Sequence, residues 1–200
     1  SLNKFSIVVS DTSATAAELN AVQALTSVAV DASNITAIEA SDAAAITTLY
    51  TSSVSGLGNE TISVNDTTVN ASSLNTIDTY TTATVTSTAT TITGTAADLH
   101  TMVDAAGIAH AADVAMTVTG STAAAADLNA INALTTGLVT VSSSVTMMTG
   151  NITAITDAYT ANDATPATIT GLDAINLTVE AVSGTNPSIA NIVTAIGKTT

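Results

Sequence analysis

The chain has 200 residues, of which 46% are hydrophobic, and a formal net charge of −14, with 16 acidic residues against only Lys4 and Lys198. Nucleic acids and anionic lipids are bound through clusters of Lys and Arg, so this composition argues against a nucleic-acid partner and against binding to an anionic membrane surface. Membrane insertion is not expected, because the chain has no run of about 18 apolar residues. The absence of cysteine excludes disulfides, thiolate metal sites and cysteine nucleophiles.

A short phrase recurs along the chain. It reads "TAAEL" at residues 15–19, "TAADL" at 95–99 and "AADL" at 125–128. Recurrence at 20 to 50 residues is typical of repeat proteins. Taking the apolar residue after the acidic position as the anchor, the predicted repeats centre on Leu19, Ile46, Leu74, Leu99, Leu128, Ile152, Leu172 and Ile189.

Each repeat begins with a short segment in which β-branched residues alternate with others. Examples are "VAV" at 28–30, "ISV" at 62–64 and "VTV" at 139–141. This alternation predicts a strand. A second short segment follows in several repeats, such as "TITG" at 91–94, and the phrase comes next.

The phrase predicts the start of a helix. Thr15 with Glu18, and Thr95 with Asp98, have the spacing of a capping box, in which a hydroxyl accepts a free backbone amide and the acid lies in the first turn. Gly107 and Gly137 are expected to end two of these helices. In three of the predicted helices, apolar residues are spaced so that they share one face of the helix. These residues are Leu19, Val22 and Leu25 in the first helix, Leu99, Met102 and Val103 in the second, and Leu128, Ile131 and Leu134 in the third.

Repetition of strand, turn, strand and short helix predicts a repeat β-solenoid, similar to a parallel β-helix, with short helices in its coils. We expect residues 1–200 to form one domain of about seven coils, as a segment of a larger protein or a subunit of a larger assembly. The alternative fold is a stack of short Ala-rich helices.

Residues 53–78, "SVSGLGNETISVNDTTVNASSLNTID", and residues 90–99, "TTITGTAADL", resemble Thr/Ala-rich repeats of very large secreted bacterial surface proteins, adhesins and RTX-associated proteins, often of marine bacteria and cyanobacteria. The resemblance is strongest across residues 53–131. It implies an extracellular structural or adhesive role. The chain lacks the Gly-Gly-x-Gly-x-Asp run of calcium-binding nonapeptide repeats, so those ligands are not transferred to it.

The candidate metal ligands are carboxylates. Glu60 and Asp66 lie within "GLGNETISVND" at 56–66, where a Gly-rich turn could offer carbonyl oxygens beside them, so both are candidates for calcium. Glu18, Asp98 and Asp127 could line one edge as a calcium ladder, although helix capping, which explains them without a metal, is the favoured interpretation. No other cofactor is expected.

Histidine occurs in one region only. His100 and Asp104 are four residues apart, a spacing used by metal ligands, and His110 lies nearby with Asp98 and Asp113. The alternative interpretation is that both histidines are surface residues beside capping acids. No nucleophile elbow, phosphate loop or zinc-protease motif is present, and we therefore expect a protein that is not an enzyme.

The functional hypothesis is an extracellular structural or adhesive module that builds a cell-surface filament, layer or adhesin stalk. Its expected partners are copies of the same repeat, with a surface glycan as a further possibility. The alternative functions are a calcium- or glycan-binding module of an adhesin and, more remotely, an ice-binding protein, because "TTATVTSTATTIT" at 81–93 carries alternating threonines.

Overall fold

A computed structural model describes residues 3–180 and Gly197. The chain divides into two compact units. Unit 1 comprises residues 1–69, 73–89 and 105–111, and unit 2 comprises residues 70–72, 90–104 and 112–200. The prediction that residues 1–200 form one domain stays a prediction, and its anchor Ile189 lies outside the described residues.

The described residues contain six α-helices, each of two to three turns. None is long and apolar enough to cross a membrane. The helices are α1 (Ala16–Gln23), α2 (Ala43–Thr51), α3 (Ala71–Asp78), α4 (Ala96–Asp104), α5 (Ala125–Leu134) and α6 (Ile152–Asn162).

Thirteen short strands accompany the helices in the described part of the chain, and they pair in parallel. The strands are β1 (Ser13–Thr15), β2 (Ala37–Ser41), β3 (Thr61–Val64), β4 (Thr68–Asn70), β5 (Val85–Ser87), β6 (Thr91–Gly94), β7 (Ile108–Ala109), β8 (Ala115–Val118), β9 (Thr122–Ala124), β10 (Val139–Val141), β11 (Met147–Gly150), β12 (Ile169–Thr170) and β13 (Asn176–Val179).

The strands form three sheets. The first, in unit 1, has the order β1-β2-β3-β5-β7. The second begins with β4, which contains the boundary between the units, and continues in unit 2 with β6, β8, β10 and β12. The third, in unit 2, has the order β9-β11-β13. All three sheets are open.

The fold is therefore α/β, with three open parallel sheets and six helices, and the prediction of a β-solenoid is wrong. The prediction assumed that the strand before each helix always occupies the same place. Instead, that strand belongs to the first sheet before α1 and α2, to the second before α3 and α4, and to the third before α5 and α6. The all-helical alternative is wrong as well, because strands separate the helices.

Two different spacings explain this arrangement. In the first sheet, Ser13 pairs with Ala37 and Ala37 with Thr61, and later Ile62 with Val85 and Val85 with Ile108, so the register advances by 23 or 24 residues per strand. Consecutive helices begin 25 to 29 residues apart. Because the helices are spaced further apart than the strands, the distance from a first-sheet strand to the next helix grows along the chain. The residues in this interval form the strands of the second and third sheets.

Aliphatic side chains fill the core of each unit. In each helix from α1 to α5 the predicted anchor is fully buried, as at Leu19 and Leu128. In α6 the corresponding fully buried residue is Ile155 instead of the predicted anchor Ile152. Leu172, a predicted anchor, is buried but lies in a turn after β12. Because burial of one Leu or Ile stabilises the fold by about 2 kcal/mol, these anchors hold the helices against the sheets.

The glycines next to the helices have a different role from the one predicted. Gly137 lies three residues after α5 and has no left-handed backbone conformation. A Cβ at this position would overlap the carbonyl oxygen of Val114. Gly107 likewise leaves room for the Asp78 carboxylate. Both glycines therefore permit a close approach between neighbouring segments, and neither ends a helix as a left-handed cap.

Candidate functional site

The outer edge of unit 1 is the most exposed apolar part of the described chain. Its strand-like segment, residues 4–11 with the sequence KFSIVVSD, is called the edge segment below. Val8 forms a parallel bridge with Asp31, and β1 continues this edge as the first strand of its sheet. On its other side, no strand pairs with the edge segment within the described residues.

The three most exposed large apolar residues of the described chain all lie at this edge or near it. Phe5 is 58% exposed, Val8 62% and Leu25 63%. Beside them is a groove of about 570 Å³, whose apolar lining includes Ile7, Val9 and Val22. Contiguous exposed apolar surface of this kind is typical of an interaction site.

Acidic residues surround the groove, since Asp11, Glu18 and Glu39 also line it. Glu18 accepts hydrogen bonds from the backbone N–H (2.9 Å) and the hydroxyl (2.8 Å) of Thr15, and donates its own N–H to the Thr15 hydroxyl (3.2 Å). This confirms the predicted capping box. The hydrogen bonds from Thr15 lower the pKa of Glu18 below its usual 4.5, so this carboxylate keeps its charge to lower pH than an isolated glutamate.

The second predicted capping pair is also present, in unit 2. The Thr95 hydroxyl donates to the Asp98 carboxylate (2.8 Å), and the Asp98 N–H donates to the same hydroxyl (3.1 Å). Asp127 occupies the corresponding position in α5, but it contacts a histidine instead. Glu18 and Asp98 therefore have the capping role that the sequence suggests for them.

Glu60 is completely buried in unit 1. Its carboxylate accepts hydrogen bonds from the N–H groups of Gly58 (2.8 and 3.0 Å) and Asn59 (3.0 Å) and from the Tyr50 hydroxyl. The Tyr50 ring stacks on Tyr80, with ring centres 4.8 Å apart and planes 5° from parallel. Burial, followed by the contact with Glu60, raises the pKa of Tyr50.

Asp66, the other predicted calcium ligand, accepts a hydrogen bond from the N–H of Ala43 (2.7 Å) at the start of α2. The structure does not bring it together with Glu60 into a ligand set. Among the described residues there is no group of three or more His, Cys, Asp or Glu side chains that could hold a metal ion. Calcium binding by Glu60 and Asp66 remains a prediction, for which a test is given below.

The two histidines are separate. His100 Nδ1 lies 2.8 Å from Asp127 Oδ1, joining α4 to α5, with the side chains 39% and 25% exposed. Asn129 holds the corresponding place in α5, where its amide donates to the carbonyl of Ala154 in α6 (2.9 Å). His110 contacts only the neighbouring carbonyl of Ala111. The same position of the helix thus contacts the next helix in both cases, through His100 in α4 and through Asn129 in α5.

A row of threonines crosses the second sheet. Thr93 pairs with Thr117, Thr117 with Thr140, and Thr140 with Thr170, all in register. Their side chains are half-buried. The row differs from the predicted array at 81–93, of which only Thr93 belongs to it.

Comparison with known proteins found no matching family model, no matching curated protein and no matching solved structure.

The sequence analysis did not identify the edge segment. Its signal is nevertheless visible, because residues 5–9 combine the single Phe with three consecutive β-branched residues and lie next to Lys4. The first copy of the repeat phrase begins at Thr15, after this stretch, so residues 5–9 are not part of the recurring pattern. The exposure of Phe5 and Val8 follows only from the tertiary structure.

Proposed function

We propose that the protein is a non-enzymatic structural or adhesive module of the bacterial cell surface, which acts by associating with copies of itself. The observation that carries the proposal is the outer edge of unit 1. This edge exposes Phe5 and Val8 beside an apolar groove. An open sheet edge with exposed apolar residues is a template for pairing with another chain unless it is covered.

The acidic composition supports the same function. A net charge of −14 keeps the chain soluble and opposes indiscriminate aggregation, so association is restricted to surfaces that offset this repulsion. The resemblance of residues 53–131 to repeats of secreted surface proteins is the basis for proposing an extracellular location.

Sedimentation velocity over a range of concentrations, followed by electron microscopy, tests this function. We expect species larger than the 19.6 kDa monomer that increase with concentration. A chain that stays monomeric from micromolar to millimolar concentration, at both low and high salt, would contradict the proposal.

The threonine row is the specific observation that favours a second function, ice binding, because it presents hydroxyl groups at the strand spacing of about 4.8 Å. Inhibition of ice recrystallisation tests it. Thr117→Lys in the row should abolish the inhibition, whereas Thr101→Lys on the exposed surface of α4 should not. Absence of inhibition by the unmodified protein would exclude this function.

A further inference from the structure

The contact between α4 and α5 fixes which nitrogen of the His100 ring is free. Nδ1 of His100 lies 2.8 Å from Oδ1 of Asp127, and because an ionised carboxylate can only accept a hydrogen bond, Nδ1 carries the proton. In a neutral imidazole the other nitrogen, Nε2, then keeps its lone pair. The His100 side chain is 39% exposed, and Asp127 occupies only the Nδ1 edge of the ring. Metal-binding histidines are held by carboxylates in this way.

Asp104 places a second carboxylate one turn further along α4. It is the exposed last residue of the helix, and its side chain has no hydrogen bond or ion pair among the described residues. Residues four apart in a helix have Cβ atoms about 5–6 Å apart, and helical side chains lean toward the N-terminus. The Asp104 carboxylate therefore leans over the turn that carries His100. The last turn of α4 has no basic residue, so a bound cation would offset this charge and the negative end of the helix dipole.

Both residues depart from the pattern of the other helices. In the five other described helices, the residue after the buried anchor is Asn or Thr, and the residue five positions after the anchor is Ala or Thr. Only α4 has His at the first of these positions and Asp at the second, and the two departures lie one turn apart on the same side of the helix. The anchors are Leu19, Ile46, Leu74, Leu99, Leu128 and Ile155.

We propose that Nε2 of His100 and the carboxylate of Asp104 bind one Zn²⁺ ion, and that Asp127 is a positioning residue that holds the imidazole. Zinc accepts both ligand types at about 2.0–2.2 Å, whereas calcium selects oxygen ligands. Water completes the coordination, so the site stays open to a further ligand. Two protein ligands agree with the absence of any group of three or more metal-ligating side chains among the described residues.

His110 is an internal control for this site. Its Nδ1 contacts the carbonyl of Ala111, so no carboxylate holds its ring. It lies outside the helices, and the residue four positions later is the buried Val114. His110 therefore lacks both features that distinguish His100, and we expect it to bind zinc at least about 10-fold more weakly.

Nuclear magnetic resonance of the ring nitrogens tests the arrangement in the full chain. The chain has only two histidines, so a two-dimensional ¹H–¹⁵N spectrum resolves both rings, and His110→Asn assigns them. Without metal, His100 should carry its proton on Nδ1. Addition of ZnCl2 should shift the Nε2 resonance of His100 before any resonance of His110. A proton on Nε2 of His100, or an equal response of the two rings, would overturn the proposal.

Calorimetric titration with ZnCl2 measures the affinity of the unmodified chain and of variants. Excess MgCl2 is present throughout, because it competes for the acidic surface in general but not for imidazole. His100→Asn gives α4 the residue that α5 has at the same position, Asn129, whose amide contacts the next helix. It should therefore keep the fold, as circular dichroism verifies, and weaken zinc binding about 10-fold or more. Asp104→Asn should have a similar effect, and His110→Asn should have none.

Asp127→Asn tests the positioning role, since it leaves both zinc ligands in place. We expect zinc affinity to fall about 10-fold, as is typical when the partner of a metal-binding histidine is removed. The proton on Nδ1 of His100 should also no longer be fixed, a change that a merely structural role of Asp127 would not cause. Absence of binding by the unmodified chain at millimolar zinc, or an unchanged affinity in any of the variants of His100, Asp104 and Asp127, overturns the proposal.

Discussion

At the residue scale, the buried carboxylate of Glu60 illustrates how one side chain organises a loop. Its four hydrogen bonds come from three donors, which are the N–H groups of Gly58 and Asn59 and the hydroxyl of Tyr50 at the end of α2. Buried polar groups of this kind are stabilising only while every partner is present. The Thr81 hydroxyl also donates to the Glu60 carbonyl (2.7 Å), which ties the same loop to the next segment of unit 1.

Removal of the Tyr50 hydroxyl should destabilise unit 1 measurably. Tyr50→Phe keeps the stacking with Tyr80 but removes one donor from the buried carboxyl group of Glu60, so we expect a loss of about 2 kcal/mol in the free energy of unfolding. Tyr80→Phe is the matched control, because the Tyr80 hydroxyl makes no hydrogen bond among the described residues, and it should cost less than about 0.5 kcal/mol. Urea unfolding measures both, and equal effects would contradict the role of the Tyr50–Glu60 contact.

The Glu18 capping box predicts a dependence of stability on pH. The pKa of Glu18 is lowered below 4.5 in the folded state, so its contribution is fully present above pH 4.5 and is lost as pH falls through the lowered pKa. Glu18→Gln should therefore melt at a lower temperature than the unmodified chain at pH 7, and the difference should disappear at about pH 2. A difference that stays constant between pH 7 and pH 2 would show that the charge of Glu18 is not responsible.

At the element scale, the contacts between neighbouring segments depend on small residues. Gly94 lies at the end of β6, where a Cβ would be 3.1 Å from the Cβ of Ala71, the first residue of α3. Gly150 has the same relation to Ala125 in α5, at 3.3 Å. The glycines in "TITG" and "MMTG" therefore give space to the beginning of another helix, a function that the local sequence does not reveal.

Alanine substitutions at two glycines of unit 2 should distinguish a clash of the new Cβ with backbone from a clash with a side chain. Gly137→Ala forces its Cβ into the carbonyl of Val114, and we expect a loss of about 3 kcal/mol or more, because backbone must move. Gly94→Ala meets only the methyl group of Ala71, and should cost about 1 kcal/mol. Thermal unfolding compares the two, and equal losses would argue against the close approach at Gly137.

The helix contacts show which local features could be predicted. The capping boxes at Thr15 and Thr95 follow from residues three apart, so the sequence suffices to find them. The contact of His100 with Asp127 joins residues 27 apart, and depends on how α4 and α5 are stacked. Glu60 was predicted as a calcium ligand because its burial and its three hydrogen-bond donors are not visible in the sequence.

At the scale of the whole molecule, the surplus of negative charge opposes folding through self-repulsion. A net charge of −14 with one described Lys leaves most carboxylates without a basic partner. Added salt screens this repulsion, with a Debye length of about 10 Å at 0.1 M. The charge also restricts association to surfaces whose apolar contact offsets this repulsion, such as the edge segment.

The response to ions should distinguish screening from calcium binding. Raising NaCl from 10 to 200 mM should increase the melting temperature by a few degrees, at about 2–4 °C per kcal/mol for a chain of this size. CaCl2 and MgCl2 at equal concentration should give the same melting temperature within about 1 °C, because screening does not discriminate between them. A shift specific to calcium would instead support the site predicted at Glu60 and Asp66.

The sequence by itself determined the local features of this protein. The spacing of Thr and acidic residues starts and caps α1 and α4, alternating β-branched residues mark strands such as β10, and the composition makes the molecule acidic and its core aliphatic. These properties depend on neighbours within one turn or one strand. The tertiary structure alone decided which strands share a sheet, that Glu60 is buried, that His100 meets Asp127, and that Val8 is left at an open edge. The donors of Glu60 lie within ten residues of it, but its burial depends on packing that the local sequence does not reveal. The strand pairings and the contact of His100 with Asp127 join residues 23 or more apart, and an offset of a few residues between strand and helix sends the next strand to a different sheet.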